Sequence, residues 1–289
     1  MVKDHTADAL LRASPLPALE ARILLMHVLG WRRTELITRG DQALDAARVD
    51  AYRALEARRV QGEPIAQLVG AREFYGLDFD VTPAVLIPRP ETELLVETAL
   101  SALEGIARPR VLDLGTGSGA IAVALASARP DARVWAVDRS TAALEVAARN
   151  AGKLLDARRP GGPLAFVAGS WYDTLDPALR FDAIVSNPPY IASGDPHLEQ
   201  GDLRFEPRGA LTDGADGLSA LRVIIAGAPG RLTSGGTLWM EHGYDQAAAV
   251  RALLETAGFA DVRSECDLAG IERISGGRLP LAASQQAGR

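Results

Sequence analysis

Apolar positions in the first part of the chain recur at helical spacing. Leu10 and Leu11, then Leu19, Ile23, Leu24, Met26 and Leu29, keep the three-and-four rhythm of a helix face, and Gly30 is placed to stop it. A second periodic stretch runs over residues 45–59 and ends near Gly62-Glu63-Pro64. With no strand pattern between them, residues 1–72 read as a small helical domain. The period changes at Phe74. Phe74, Leu77, Phe79 and Val81, set around Gly76, predict a short hairpin. Pro88 and Pro90 then hold off helix until Glu91 and Glu93, which suit the first turn of a new one. Residues 73–92 therefore form a hairpin linker.

Beyond Arg110 strand and helix patterns alternate. Strands are predicted at 111–114, 133–138, 164–167, 181–186, 237–241, 262–267 and 272–275, and helices at 120–128, 141–150, 218–228 and 246–257. Such alternation gives an α/β domain over residues 93–281. Its seven-stranded sheet is mostly parallel, with an antiparallel pair at the end of the chain and helices on both faces. Ligands of such sheets bind at the carboxyl ends of the strands. The small, polar residues 282–289 are expected to be a disordered tail.

Composition narrows the function. With 47% hydrophobic and 24% charged residues in 289, the chain can bury a sizeable core. A net charge of −6 speaks against a broad grip on phosphate backbones, so no direct nucleic-acid partner is expected. Cys266 is the sole cysteine, and His5, His27, His197 and His242 lack metal-ligand spacing; neither an internal disulfide nor a metal is expected. The compartment reads as reducing and cytoplasmic. The opening Met1-Val2-Lys3-Asp4-His5 lacks the layout of a signal peptide, and the apolar stretch at 23–29 is too short to span a bilayer. A monomer without a membrane partner is the expectation.

Two motifs carry chemistry. The first predicted strand of the α/β domain runs into Asp113-Leu114-Gly115-Thr116-Gly117-Ser118-Gly119. These glycines let the backbone turn sharply and approach a ligand closely. The next strand ends in Asp138, at the distance along the chain that suits an acceptor for two ribose hydroxyls. The loop reads G-x-G-x-G, not the dinucleotide G-x-G-x-x-G, which disfavours a dehydrogenase. With Asp113 it resembles the first-strand pattern of class I methyltransferases, whose cofactor is S-adenosylmethionine.

The strand at 181–186 runs into Asn187-Pro188-Pro189-Tyr190. An amide-like nitrogen is a poor nucleophile with two N–H donors. The Asn187 side-chain oxygen and the Pro188 carbonyl are two fixed acceptors that could hold both, aiming the lone pair at a methyl group. Proline removes competing backbone N–H groups and stiffens the turn, and the Tyr190 ring could stack on a flat substrate. Neither a base nor a metal is required. The exocyclic amine of adenine presents the same donors, so an adenine-N6 methyltransferase of DNA or RNA is the second reading. A non-catalytic S-adenosylmethionine-binding adaptor is the third.

Further marks extend over nearly the whole chain: Gly62-Glu63-Pro64-Ile65, Arg72 to Gly76, Val85 to Glu93, Asp113 to Ala120, Asn187 to Ile191, and Arg204-Phe205-Glu206-Pro207. On these the chain resembles the protein-(glutamine-N5) methyltransferases of peptide chain release factors. The resemblance implies a helical substrate-binding domain joined to a class I, Rossmann-like methyltransferase domain. It implies that the side-chain amide of the glutamine in a release factor's Gly-Gly-Gln loop is methylated. Asn187, Pro188, Pro189 and Tyr190 would bind that amide. Gly115, Thr116, Gly117, Ser118 and Gly119 would line the methionine part of the cofactor, Asn187 would also touch it, Asp138 would hold its ribose, and Trp171 would lie beside its adenine. Gln67 departs from the family, which often has tyrosine there. Arg89 is expected to anchor the linker or meet the partner, Glu206 to shape the substrate entrance or lie solvated, and His242 to be structural.

Overall fold

A computed structural model of the chain describes residues 5–281, so the tail expected at 282–289 lies outside the described residues. The chain divides into two compact units. One holds the residues up to Ala71 together with Glu199–Phe205; the other holds Arg72–Leu198 and the residues from Glu206 onward.

Among the described residues, five α-helices and the 3-10 helix Gly201–Phe205 build the first unit: α1 (Ala7–Ala13), α2 (Ala18–Leu29), α3 (Arg33–Thr38), α4 (Ala46–Val60) and α5 (Ile65–Val69). Thr6 and Asp45 cap α1 and α4 by accepting from the N–H groups of Ala9 and Arg48. Gly30, at φ +66°, ends α2 at the predicted stop. Leu10, Leu24, Leu25, Val49, Tyr52 and Leu68 meet in the core, each large side chain contributing about 1.5–3 kcal/mol by leaving water.

The segment Glu199–Phe205 belongs with these helices, whereas a sequence boundary at residue 72 leaves it in the second domain. Arg59 explains the difference. Its guanidinium donates twice to Glu20 at 2.8 Å, to the carbonyls of Gly62 and Glu63, and to Asp202 at 3.0 Å. Gln67 Nε2 donates to the Phe205 carbonyl at 3.2 Å. No local periodicity signals partners so distant along the chain.

The hairpin is β1 (Ala71–Phe74) with β2 (Leu77–Asp80), and the 3-10 turn Pro90–Thr92 leads into α6 (Glu93–Ala102). The strands and helices that follow are β3 (Arg110–Leu114), α7 (Ala120–Ala128), β4 (Arg133–Asp138), α8 (Thr141–Leu154), β5 (Ala165–Ala168), β6 (Phe181–Ser186), α9 (Arg208–Leu211), α10 (Ser219–Gly227), β7 (Leu232–Glu241), α11 (Ala247–Thr256), β8 (Ala260–Cys266) and β9 (Glu272–Arg278). Seven strands form one sheet in the order β5-β4-β3-β6-β7-β9-β8, and β9 runs against both its neighbours.

Neighbouring residues on one strand feed opposite cores. Val111, Val134, Ala183 and Val185 pack with α6 and α7, while Leu112, Leu114, Val137, Ile184 and Leu238 pack with α10 and α11. β9 runs past its predicted end at Ser275 through Gly276 and Gly277. Glycine at 276 has a steric reason: a Cβ there would come within 2.2 Å of the Trp239 ring.

The chain builds outward from β3 to β4 and β5, then returns to the other side of β3 as β6. The switch point between β3 and β6 opens a crevice at their carboxyl ends. Leu114 and Ser186 are register partners there, and Ser186 Oγ donates to the Leu114 carbonyl at 2.7 Å. The glycine loop and the Asn-Pro-Pro-Tyr turn leave the sheet from these two adjoining ends.

Candidate active site

The glycine loop is shaped by backbone demands. Gly115, Gly117 and Gly119 all have positive φ, a conformation that side chains other than glycine's rarely adopt. Gly119 caps α7, and a Cβ there would press on the backbone and side chain of Ala147 in α8 at 3.0–3.2 Å. Thr116 turns away from the loop's open side and donates to Asp113 Oδ2 at 2.6 Å. Asp113 is wholly buried, and its other carboxylate oxygen has no hydrogen-bond partner among the described residues. Burial, against the lowering effects of the Thr116 bond and of the nearby Ala122 N–H, pushes its pKa up to about 7, and the charge of Asp138 adds to the rise.

Asp138, at the end of β4, accepts from the Gly117 N–H on Oδ2 and from the Ser140 N–H on Oδ1, both at 2.9 Å. Each oxygen keeps a further lone pair. Trp171 sits at φ +54°, a strained region for an aromatic residue that costs about 1–3 kcal/mol. Its ring lies 3.6 Å from where a Cβ on Gly115 would stand.

These groups line one cavity. Of the sequence-predicted residues, Gly115, Gly117, Asp138, Trp171, Asn187 and Pro189 face it. Thr116, Ser118, Gly119, Pro188 and Tyr190 are not among its lining; all but Tyr190 are buried. Sequence reasoning missed Leu86, Arg139, Ser140 and Pro207, which also line it. Leu86 and Pro207 lie inside the segments that carry the family resemblance, which was the available signal.

Glu206 fastens the linker that brings Leu86 here. It is buried, accepts from the Ile87 N–H at 2.9 Å, and pairs with the Arg89 guanidinium. It is thus a buried anchor and not a solvated loop acid, and Arg89 is held by a salt bridge within the linker's own unit. His242 is fully buried, with Nδ1 against the Gly243 carbonyl at 2.9 Å and Nε2 against Ser275 Oγ at 2.7 Å. Burial lowers its pKa, and with both ring nitrogens engaged it is structural.

The Asn-Pro-Pro-Tyr turn carries a connected set of side chains. Asn187 Nδ2 donates to Thr92 Oγ1 at 3.1 Å. Thr92 Oγ1 donates to Glu241 Oε2 at 2.6 Å, and the Tyr190 hydroxyl donates to Glu241 Oε1 at 3.0 Å. Glu241 is 2% exposed. Burial raises its pKa against the lowering effect of the two hydroxyl bonds. Burial, then the charge of Glu241, holds the Tyr190 pKa well above its ordinary value, so the phenol keeps its proton. Thr92 and Glu241 were not singled out as site residues from the sequence; a carboxylate ending the apolar run Leu238-Trp239-Met240 was the overlooked sign.

The sheet order and the cavity at the switch point define a class I methyltransferase domain. Family models described as PrmC N-terminal domain and Methyltransferase small domain match residues 4–70 and 90–201. The release factor glutamine methyltransferase of Burkholderia pseudomallei is 72% identical over 275 residues, covering 95% of this chain and 96% of that protein. The chain belongs to the release factor glutamine methyltransferase family. The protein of the same name from Escherichia coli is 46% identical over 269 residues, covering 93% of this chain and 94% of its own. A solved methyltransferase from Pyrococcus furiosus is 19% identical, with a TM-score of 0.50, over 78% of this chain and 98% of that one; this likeness concerns the fold alone.

Proposed function

We propose that this protein transfers a methyl group from S-adenosylmethionine to the side-chain amide nitrogen of the glutamine in the Gly-Gly-Gln loop of a release factor. Family membership supports the reaction class. The observation that carries the residue assignment is the state of Asn187. Its Nδ2 is engaged with Thr92, its Oδ1 meets no donor among the described residues, and the side chain lines the cavity that Asp138 and Trp171 also line.

The cavity residues fit the cofactor. Gly115 and Gly117 present backbone alone, the Asp138 oxygens keep lone pairs for two ribose hydroxyls, and Trp171 offers a ring face for adenine. When bound, the cofactor supplies a methyl group already activated by a sulfonium. The chain supplies position and charge. Asn187 Oδ1 and the Pro188 carbonyl would accept the two N–H bonds of the substrate amide, so that the nitrogen's lone pair, which stands perpendicular to the amide plane, is aimed at the methyl carbon. Positive charge growing on nitrogen would be met by these two acceptors, and it is discharged when one of the two N–H protons is released to water. Tyr190, its hydroxyl fixed on Glu241, would pack its ring on the amide. Thr116, Ser118 and Gly119 act by holding the loop's shape.

The helical unit serves as the substrate-binding part. The net charge of −6 supports a protein substrate over a nucleic acid, and the reading is of a cytoplasmic monomer. The test is mass spectrometry of an unmodified release factor incubated with enzyme and S-adenosylmethionine. One added methyl on the glutamine of the Gly-Gly-Gln loop is expected, with no transfer to DNA or RNA. Asn187→Ala is expected to cut transfer by about a hundredfold or more while leaving cofactor affinity within a few-fold. Full activity in that variant would overturn the assignment.

A further inference from the structure

The geometry points to Thr92 and Glu241 as positioning residues that decide which end of the Asn187 carboxamide faces the substrate. The inference rests on the reading of Asn187 Oδ1 as an acceptor for the substrate NH₂ group.

A carboxamide has two ends of nearly equal shape and opposite polarity. Turned over, Asn187 would offer N–H donors to a substrate that also has only N–H donors at the reacting atom. Something must therefore hold one orientation. The hydroxyl bonds from Thr92 at 2.6 Å and Tyr190 at 3.0 Å, one on each oxygen, favour the ionised form of Glu241 against the burial that raises its pKa, and an ionised carboxylate can only accept hydrogen bonds. Both hydroxyl hydrogens are thereby committed to it.

Thr92 Oγ1 has a single hydrogen. Having given it to Glu241, it has only lone pairs left for its other neighbour, Asn187, 3.1 Å away. A lone pair facing the carboxamide accepts from Nδ2 and repels Oδ1. The acceptor-only character of Glu241 is thus passed through one hydroxyl and appears at the cavity as an acceptor, Asn187 Oδ1. The same carboxylate fixes Tyr190, so one buried acid at the end of β7 orients two members of the motif. Thr92 lies in the turn before α6 and is 4% exposed. Solvent therefore has little access to substitute for either link.

The relay predicts a polarity effect that packing alone does not. Thr92→Val keeps the shape and removes the acceptor. Thr92→Ser keeps the hydroxyl and removes a methyl. Glu241→Gln keeps the shape but introduces an NH₂ donor, which can reverse the hydroxyl that it meets. Losing one ordinary hydrogen bond is worth about tenfold in an equilibrium, so Thr92→Val and Glu241→Gln should each lower kcat about tenfold or more. Thr92→Ser should recover most of the loss. The Kd for S-adenosylmethionine, read by calorimetry, should stay within about threefold in all of them, because none of these side chains lines the cofactor cavity.

The assay is methyl transfer to an unmodified, purified release factor, with melting curves and Asn187→Ala run in parallel. A kcat for Thr92→Val within about twofold of the parent, with Asn187→Ala inactive, would overturn the relay and leave the Asn187 assignment standing. Full activity in Asn187→Ala would remove the reading on which the relay rests. If Thr92→Val and Thr92→Ser lose activity equally, or lose it in step with cofactor affinity and melting temperature, Thr92 is a packing residue and the relay fails. Should Glu241→Gln not fold, the valine–serine pair at Thr92 decides alone.

Discussion

Replacing Asp113 by asparagine should stabilise the protein increasingly as pH rises. Asp113 is wholly buried, with a pKa of about 7 in the fold against an ordinary value of 3.8. The folded state therefore holds this proton more tightly than the unfolded chain does. The stabilisation from proton binding is fully present below the unfolded value and is lost as pH climbs through about 7. At roughly 1.4 kcal/mol per pH unit, the penalty grows by about 3 kcal/mol between about pH 5 and about pH 8. Asparagine has no such penalty, and packing changes common to both pH values cancel when the variant is compared with its parent at each. With about 2–4 °C per kcal/mol for a domain of this size, the difference in Tm between variant and parent should widen by roughly 5–10 °C over that range. Thermal melts of the two cofactor-free proteins across a pH series measure it directly. A difference in Tm that does not change with pH would refute the argument, whatever its absolute size.

Glu206→Ala should destabilise the protein by about 2–4 kcal/mol in chemical denaturation, because Arg89 and the Ile87 N–H lose a buried acceptor. Since Leu86 and Pro207 flank that contact and line the cavity, calorimetry should also show weaker cofactor binding; unchanged affinity would mean that the linker is held by other means. Asp138→Ala should raise the Kd for S-adenosylmethionine about tenfold or more, with kcat at saturating cofactor within a few-fold of the parent; an unaltered Kd would refute its ribose role.

The sheet was legible in the sequence because its strands are buried on both faces and therefore written as short apolar runs such as 111–114 and 181–186. The two motifs were legible because glycine and proline punctuate the ends of the two runs that meet at the switch point. What escaped was long-range and polar. Thr92, Asn187 and Glu241 come from three separate stretches of chain, and no periodicity joins them. His242 was expected to be structural, while Glu241 beside it, which holds the Tyr190 hydroxyl, drew no notice. Arg59 and Asp202, 143 residues apart along the chain, are joined by a bond that no periodicity signals either.

The way Glu199–Phe205 is shared has a consequence for inheritance. The polypeptide leaves the helical unit after Ala71 and lends it a short piece again at 199–205, so no single cut yields both parts whole. A recombination event that exchanged the amino-terminal helices between two relatives would pair a foreign Arg59 with a native Asp202 and a foreign residue 67 with a native Phe205 carbonyl. Lineages should therefore pass these two parts on together, with residues 199–205 changing in concert with the helices and not with the sheet that surrounds them in the sequence.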